Sequence, residues 1–314
     1  MCTAISLNTQ NHYFGRNLDL ERDFGEKVII TPRNYTFDFR MEKQISSHYA
    51  LIGMGIDVHN YPLYFEATNE KGLSMAGLNF PDNAQYRPFV SGKTNIAPFE
   101  LIPYVLSLCQ STEDAQRLLE RINVVNVNFS RDFPVSPLHW IISDKDKSIT
   151  LECTKEGMKV FQNPMGILTN NPPFEFHLEN INRYMMLSEN PASNNLSSDL
   201  HLVNTSLGLG AMGLPGDFSS VSRFVKAVFV KEKTPKNLGD TESVAHFFRL
   251  LQSVAMPYGC VKALNGDFEY TRYSCCCNTA TGEYYYQTYF DFTPKKAELF
   301  SAELESNKLI IINQ

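Results

Sequence analysis

The first nineteen residues constrain this chain more than any other stretch. Cys2 to Leu7 alternates and is β-prone, Asn8 to Asn11 has turn chemistry, and a second β-prone run begins at His12. This pattern predicts a hairpin whose return strand, Phe14-Gly15-Arg16-Asn17-Leu18-Asp19, carries Arg16 and Asp19 back to the chain start. Gly15 leaves room there for close backbone approach. A chain that opens this way builds outward from a sheet.

Position 2 also has a chemical property of its own. Methionine aminopeptidases remove an initiator methionine that precedes a small side chain, and Cys2 would then carry a free α-amine beside its thiol. One residue would hold both nucleophile and base. Such an amine has a reference pKa of about 7.7–8.0, suited to exchanging protons near neutrality. An Arg near the thiol favours the thiolate, and a carboxylate can hold the amine. Plainer roles stay open on these residues alone. Cys2 also suits a small buried position at the start of an edge strand, and Arg16 with Asp19 suits an ordinary surface ion pair.

Of the 314 residues, 43% are hydrophobic and 20% charged, ample for a large core. No linker or composition break divides them, so a single domain over 1–314 is expected. The net charge of −6 argues against nucleic acid as the main partner. No charged start leads into an apolar run, and no apolar run approaches the ~18 residues of a membrane span. Seven cysteines without a CxxC pair fit reduced thiols, hence a cytoplasmic location.

Further strands are expected at Lys27 to Thr31, Tyr49 to Gly55, Leu63 to Ala67 (punctuated by Pro62) and Leu73 to Leu78. Helices are expected over Phe99 to Cys109 and Thr112 to Ile122, with Ser111 capping the second. Val124 to Phe129, His139 to Ser143, Ile149 to Thr154 and Met158 to Phe161 read as strands. Helical spacing returns over Glu175 to Leu187, Ser220 to Lys231 and Thr241 to Val254, and a late strand pair spans Tyr270 to Asn278 and Glu283 to Tyr289. Ser188 to Asp199 reads as a polar loop. This patterning gives an α+β class and nothing finer.

Several ordered stretches then carry a resemblance: MCTAISL and FGRNLD at the start, NEKGLSMAGLNF (Asn69 to Phe80), SPLHWIISD (Ser136 to Asp144), GILTNNPPF (Gly166 to Phe174) and GLPGDFSSVSRF (Gly213 to Phe224). Together they resemble the choloylglycine hydrolases, N-terminal-nucleophile amidases that include bile salt hydrolases and penicillin V acylases. The resemblance runs to about Tyr289. It implies a four-layer αββα sandwich, with two antiparallel sheets between helix layers, and a homotetramer packed in part through the Ser188 to Asp199 region. It also implies catalytic residues Cys2, Arg16, Asp19, Asn79, Asn170 and Arg223. Cys2 would attack, Arg16 would favour its thiolate, and Asp19 would hold the amine. Asn170 and Asn79 would donate to an oxyanion, with Asn171 as the alternative to Asn170. Implied pocket positions are Leu18, Phe24, Val58, Phe65, Phe129, Phe133 and Ser136, an apolar lining for a conjugated bile acid. Asn79 within GLNF resembles bile salt hydrolases more closely than penicillin V acylases.

No cofactor or metal is expected. HExxH, GxSxG and GxxxxGK[ST] are absent. Cys275, Cys276 and Cys277 alternate faces in a strand and are assigned to packing. His139, beside the chain's one Trp, reads as a satisfied core residue. A penicillin V acylase or another N-acyl amidase, a non-catalytic ligand-binding protein and a cysteine redox protein stay open as alternatives.

Overall fold

A computed structural model describes residues 1–312. Six strands come first: β1 (Cys2–Asn8), β2 (His12–Leu20), β3 (Lys27–Thr31), β4 (Leu51–Val58), β5 (Tyr61–Asn69) and β6 (Ser74–Asn79). A short β7 (Thr94–Ile96) leads into the helices α1 (Leu101–Leu108) and α2 (Thr112–Leu119). Next come β8 (Ile122–Val124), β9 (Leu138–Ser143), β10 (Ser148–Thr154), β11 (Gly157–Gln162), β12 (Ile167–Leu168) and α3 (Phe174–Asn180). Two longer helices, α4 (Ser220–Glu232) and α5 (Asp240–Ser253), precede β13 (Val261–Lys262), β14 (Phe268–Asn278), β15 (Glu283–Thr288), β16 (Lys295–Glu298) and β17 (Ile310–Ile312).

The strands form two large antiparallel sheets. One runs β12-β1-β2-β14-β15-β16, with β13 added on β14, and the other runs β11-β10-β9-β6-β5-β4-β3-β17. Apolar residues of α4 and α5, including Phe224, Phe247 and Leu251, pack with the first sheet. Leu101, Val105 and Leu119 of α1 and α2 pack with Met75, Trp140 and Ile142 of the second. Inner-face residues of both sheets, such as Ala4, Ile52, Ala76 and Ile141, fill the layer between. The result is the αββα sandwich, an α+β fold.

The opening hairpin forms as its sequence requires. Cys2 pairs with Leu18, Thr3 with Asn17, Ala4 with Arg16 and Ile5 with Gly15. Gly15 is obligatory for contact reasons: a Cβ there would run into the Cys275 carbonyl and lie 2.9 Å from Cys276 Cα. Ser111 caps α2 by accepting a hydrogen bond from the Asp114 amide at 3.2 Å.

Three expectations need correction. The strand expected over Val124 to Phe129 stops at Val124, where its partner β7 ends, and residues 125–137 become a loop. Pro62 lies inside β5 rather than bounding it, because the turn falls at His59 and Asn60, both with positive φ. The helix expected over Glu175 to Leu187 is α-helical only to Asn180 and then tightens into a 3₁₀ turn, Ile181–Tyr184.

Candidate active site

Cross-strand pairing puts Cys2 and Leu18 side by side, with Ala4 and Arg16 next along the same face. All four are buried. The described chain retains Met1, so the Cys2 nitrogen is a backbone amide standing where a processed chain would carry its α-amine. This N–H donates to Asn170 Oδ1 at 2.7 Å. Met1 extends the ladder by one pair. Its amine donates to the Asp19 carbonyl at 2.6 Å, and the Asp19 amide donates back to the Met1 carbonyl at 2.9 Å. The amine also contacts the Glu269 carboxylate.

Arg223 reaches the chain start from the first turns of α4. A cation is disfavoured at that helix end, and four acceptors account for its being there, one of them the Phe218 carbonyl, which accepts from Nε at 3.0 Å. Nη1 donates to the Cys2 carbonyl at 2.5 Å and to Thr3 Oγ1 at 2.6 Å, while Nη2 donates to Asn170 Oδ1 at 2.9 Å. The side chain is 1% exposed. Burial lowers its pKa, opposed by Asp19 and Cys2.

Asn170 is held on every side. Its amide donates to Ser220 Oγ at 2.8 Å, and its Nδ2 donates to the Asn79 carbonyl at 2.7 Å. The two asparagines implied as oxyanion donors are therefore bonded to each other. Asn171 stands apart, its Nδ2 donating to the Pro81 carbonyl at 2.8 Å.

Asp19 is fully buried and points toward β14, where its Oδ1 accepts from Thr271 Oγ1 at 2.6 Å; its Oδ2 has no partner. Burial pushes its pKa up, against the pull of Arg223 and the N-terminal amine. Burial also lowers the pKa of that amine, with Cys2 and Asp19 acting to raise it. Arg16 Nη1 donates to the Phe65 and Gly77 carbonyls at 3.0 and 2.7 Å, and its Nη2 is unpartnered. Burial works against the charge of Arg16, yet Cys2, Tyr273 and Glu66 together raise its pKa. Glu66 closes the far side, 3.8 Å from Arg16 Nε, and accepts from Tyr273 and Tyr284 hydroxyls at 2.6 Å each. The sequence reading missed this cluster; its one signal was a carboxylate inside the otherwise uncharged strand LYFEAT.

Phe65 and Gly77 also line a cavity of about 390 Å³. Arg16 thus joins this trough to the strand pair that carries Cys2. Its wall includes Phe24, Phe65, Phe129, Phe133 and Ser136. Leu18 and Val58, expected in the pocket, are not among its lining. Leu18 is buried beside Cys2, and Val58 sits at the β4–β5 turn. Pro98, Phe99 and Ile102, which do line it, were not expected, since nothing in a helix start reveals the cavity it will cover.

The sequence profile of linear amide C–N hydrolases, choloylglycine hydrolase family, matches residues 2–312. The chain belongs to the choloylglycine hydrolase family. A relative named bile salt hydrolase/transferase, from Lactiplantibacillus plantarum, is 45% identical over 99% of this chain and 96% of its own length. A conjugated bile acid hydrolase from Lactobacillus gasseri is 41% identical over 99% of both. Among solved structures, a C2A mutant of the conjugated bile acid hydrolase from Clostridium perfringens superposes with a TM-score of 0.93 at 34% identity, covering 100% of this chain and 97% of that one. A penicillin V acylase from Agrobacterium tumefaciens shares the fold, with a TM-score of 0.78 at 19% identity over 100% and 91% of the two chains. As a choloylglycine hydrolase family member, the chain is a hydrolase of linear amide C–N bonds.

Proposed function

We propose that this chain, once Met1 is removed, hydrolyses the amide bond of glycine- and taurine-conjugated bile acids through an acyl-thioester on Cys2. The observation that carries the reading is the buried start of β1, held by Arg223 and Asn170 and joined through Arg16 to an apolar trough. A flat hydrocarbon fits such a lining, with few polar anchors. The bile-acid names of these relatives point to the same substrate class.

The Cys2 thiolate attacks the amide carbonyl carbon, and its C=O electrons move onto oxygen. Arg16 is the cation beside the sulfur, and Asn170 with Asn79 stabilises the oxyanion. The C–N bond then breaks as the Cys2 ammonium gives a proton to the leaving nitrogen, releasing glycine or taurine. Water next attacks the thioester, the same amine takes its proton, and free bile acid leaves with the thiolate and ammonium restored. Asn170 Oδ1, which accepts from the Cys2 nitrogen at 2.7 Å, orients the amine, and the buried Asp19 carboxylate favours its charged form once Met1 is gone. Arg223 fixes the Cys2 carbonyl so that sulfur and amine keep their geometry.

The assembly proposed is a homotetramer. Met185, Met186, Leu196, Leu207 and Met212 are each at least 75% exposed on the 185–212 segment, an apolar surface suited to other copies of the chain. Light scattering on the purified protein tests it. A cytoplasmic location fits seven free cysteines. Among the described residues no helix is long and apolar enough to cross a membrane.

The function is tested by incubating purified protein, with Met1 loss verified by intact mass, with glycocholate, taurocholate and phenoxymethylpenicillin. Release of glycine and taurine at rates well above penicillin cleavage supports the reading. Faster penicillin cleavage makes the chain a penicillin V acylase, and bile-salt binding without turnover makes it a ligand-binding protein.

A further inference from the structure

His139 is fully buried in β9, and its two ring nitrogens meet two acceptors. Nε2 lies 2.9 Å from the Thr169 carbonyl, which can only accept, so Nε2 carries a proton. Nδ1 lies 3.0 Å from Glu152 Oε1, which also accepts the Phe174 amide at 2.9 Å. A proton between Nδ1 and Oε1 satisfies that second contact. The ring stacks on Phe80, with centroids 4.3 Å apart and planes 5° from parallel.

These contacts join two places that matter to the reaction. Thr169 precedes Asn170 and follows β12, at the edge of the first sheet; Phe80 follows Asn79 at the end of β6, in the second. His139 therefore grips the backbone beside one asparagine and the ring beside the other. The Asn170 Nδ2 to Asn79 carbonyl bond, 2.7 Å, spans the gap between them. Neither ring nitrogen is free for proton transfer, so His139 is not a base.

We propose that His139, oriented by Glu152, is a positioning residue that sets the spacing of Asn79 and Asn170 across the two sheets. This inference rests on the amidase reading above. Misplacing preorganised donors costs turnover more than substrate binding, because the charge they stabilise develops only in the transition state.

The test compares His139→Phe, which keeps volume and stacking but loses both the Thr169 and the Glu152 contacts, with His139→Gln, whose amide can donate to the Thr169 carbonyl. Four readouts are taken: kcat and KM on taurocholate, the rate of Cys2 alkylation by iodoacetamide, and the Asn170–Asn79 separation in crystals of each variant. For His139→Phe, kcat falls about tenfold or more, KM and the alkylation rate stay at wild-type values, and the separation grows by about 0.5 Å or more. His139→Gln recovers part of kcat. A His139→Phe enzyme that melts earlier yet turns over at the wild-type rate, with unchanged separation, overturns the proposal. So does a loss of alkylation in parallel with kcat, which would mean general disruption. If His139→Phe does not fold, the His139→Gln and Glu152→Gln variants carry the same readouts. Wild-type protein inactive on taurocholate defeats the bile-salt reading instead, and the crystallographic separation still decides the positioning role.

Discussion

Arg223 donates to the backbone carbonyl of Cys2 at 2.5 Å, tying the first turns of α4 to the first residue of β1. That guanidinium serves Cys2, Thr3 and Asn170 together, three acceptors that a single ammonium cannot span. Arg223→Lys is therefore expected to lower kcat about 100-fold or more. Leaving buried acceptors unsatisfied should also cost roughly 2 kcal/mol of stability. Turnover of taurocholate and urea denaturation of the same preparation measure both.

The β2–β14 pairing makes Gly15 intolerant of any side chain. A Cβ there meets the Cys275 backbone, which cannot move without breaking the ladder. Gly15→Ala is expected to destabilise the protein by about 3 kcal/mol or more. The denaturation midpoint against Gly216→Ala, where a Cβ would meet nothing within 4 Å, measures how much comes from the collision.

Acid should weaken the fold through two histidines. Burial pushes the pKa of His12 and of His177 down to about 4, from an ordinary 6.5. Between those values the unfolded chain binds protons that the folded chain refuses, so stability is lost as pH falls from about 6.5 toward 4. Each residue accounts for roughly 3 kcal/mol over that interval. The buried carboxyls of Asp19 and Glu66, pushed up by burial, act in the reverse sense. His12→Gln should therefore show a shallower loss of urea stability between pH 6.5 and 4 than the wild-type chain.

Trough residues should affect affinity. Phe129 packs edge-on against Phe99 and Phe133 in the cavity wall. Phe129→Ala is expected to raise KM for taurocholate about tenfold, the scale of one lost aromatic contact, with a smaller change in kcat. Val58→Ala, outside the lining, should leave KM unchanged. Initial-rate kinetics on the two variants separates wall from neighbourhood.

The hairpin was legible because its signals are local: alternation, a turn and a glycine within nineteen residues. The cap at Ser111 and the burial of Cys275, Cys276 and Cys277 were legible for the same reason. The layer arrangement was not, and came from resemblance, since strand alternation does not say which faces meet. Arg223 came from resemblance alone, since its place in the first turns of a helix says nothing of the three acceptors from distant segments that converge on it. Leu18 and Val58, implied for the pocket by resemblance, lie outside the lining of this cavity, one beside Cys2 and the other at the β4–β5 turn, positions that no local pattern encodes. His139 read correctly as satisfied; what it satisfies, the Thr169 carbonyl and Glu152, depends on tertiary contacts no local pattern encodes.

The central claim is that the sulfur of a processed Cys2 carries the acyl group. The most direct measurement is intact and peptide mass spectrometry of acid-quenched protein during taurocholate turnover, beside a Cys2→Ala chain. The account predicts a bile-acyl mass increment on the N-terminal cysteine peptide and no taurine release by Cys2→Ala. Undiminished taurine release by Cys2→Ala, or an acyl group found on another residue, would contradict it.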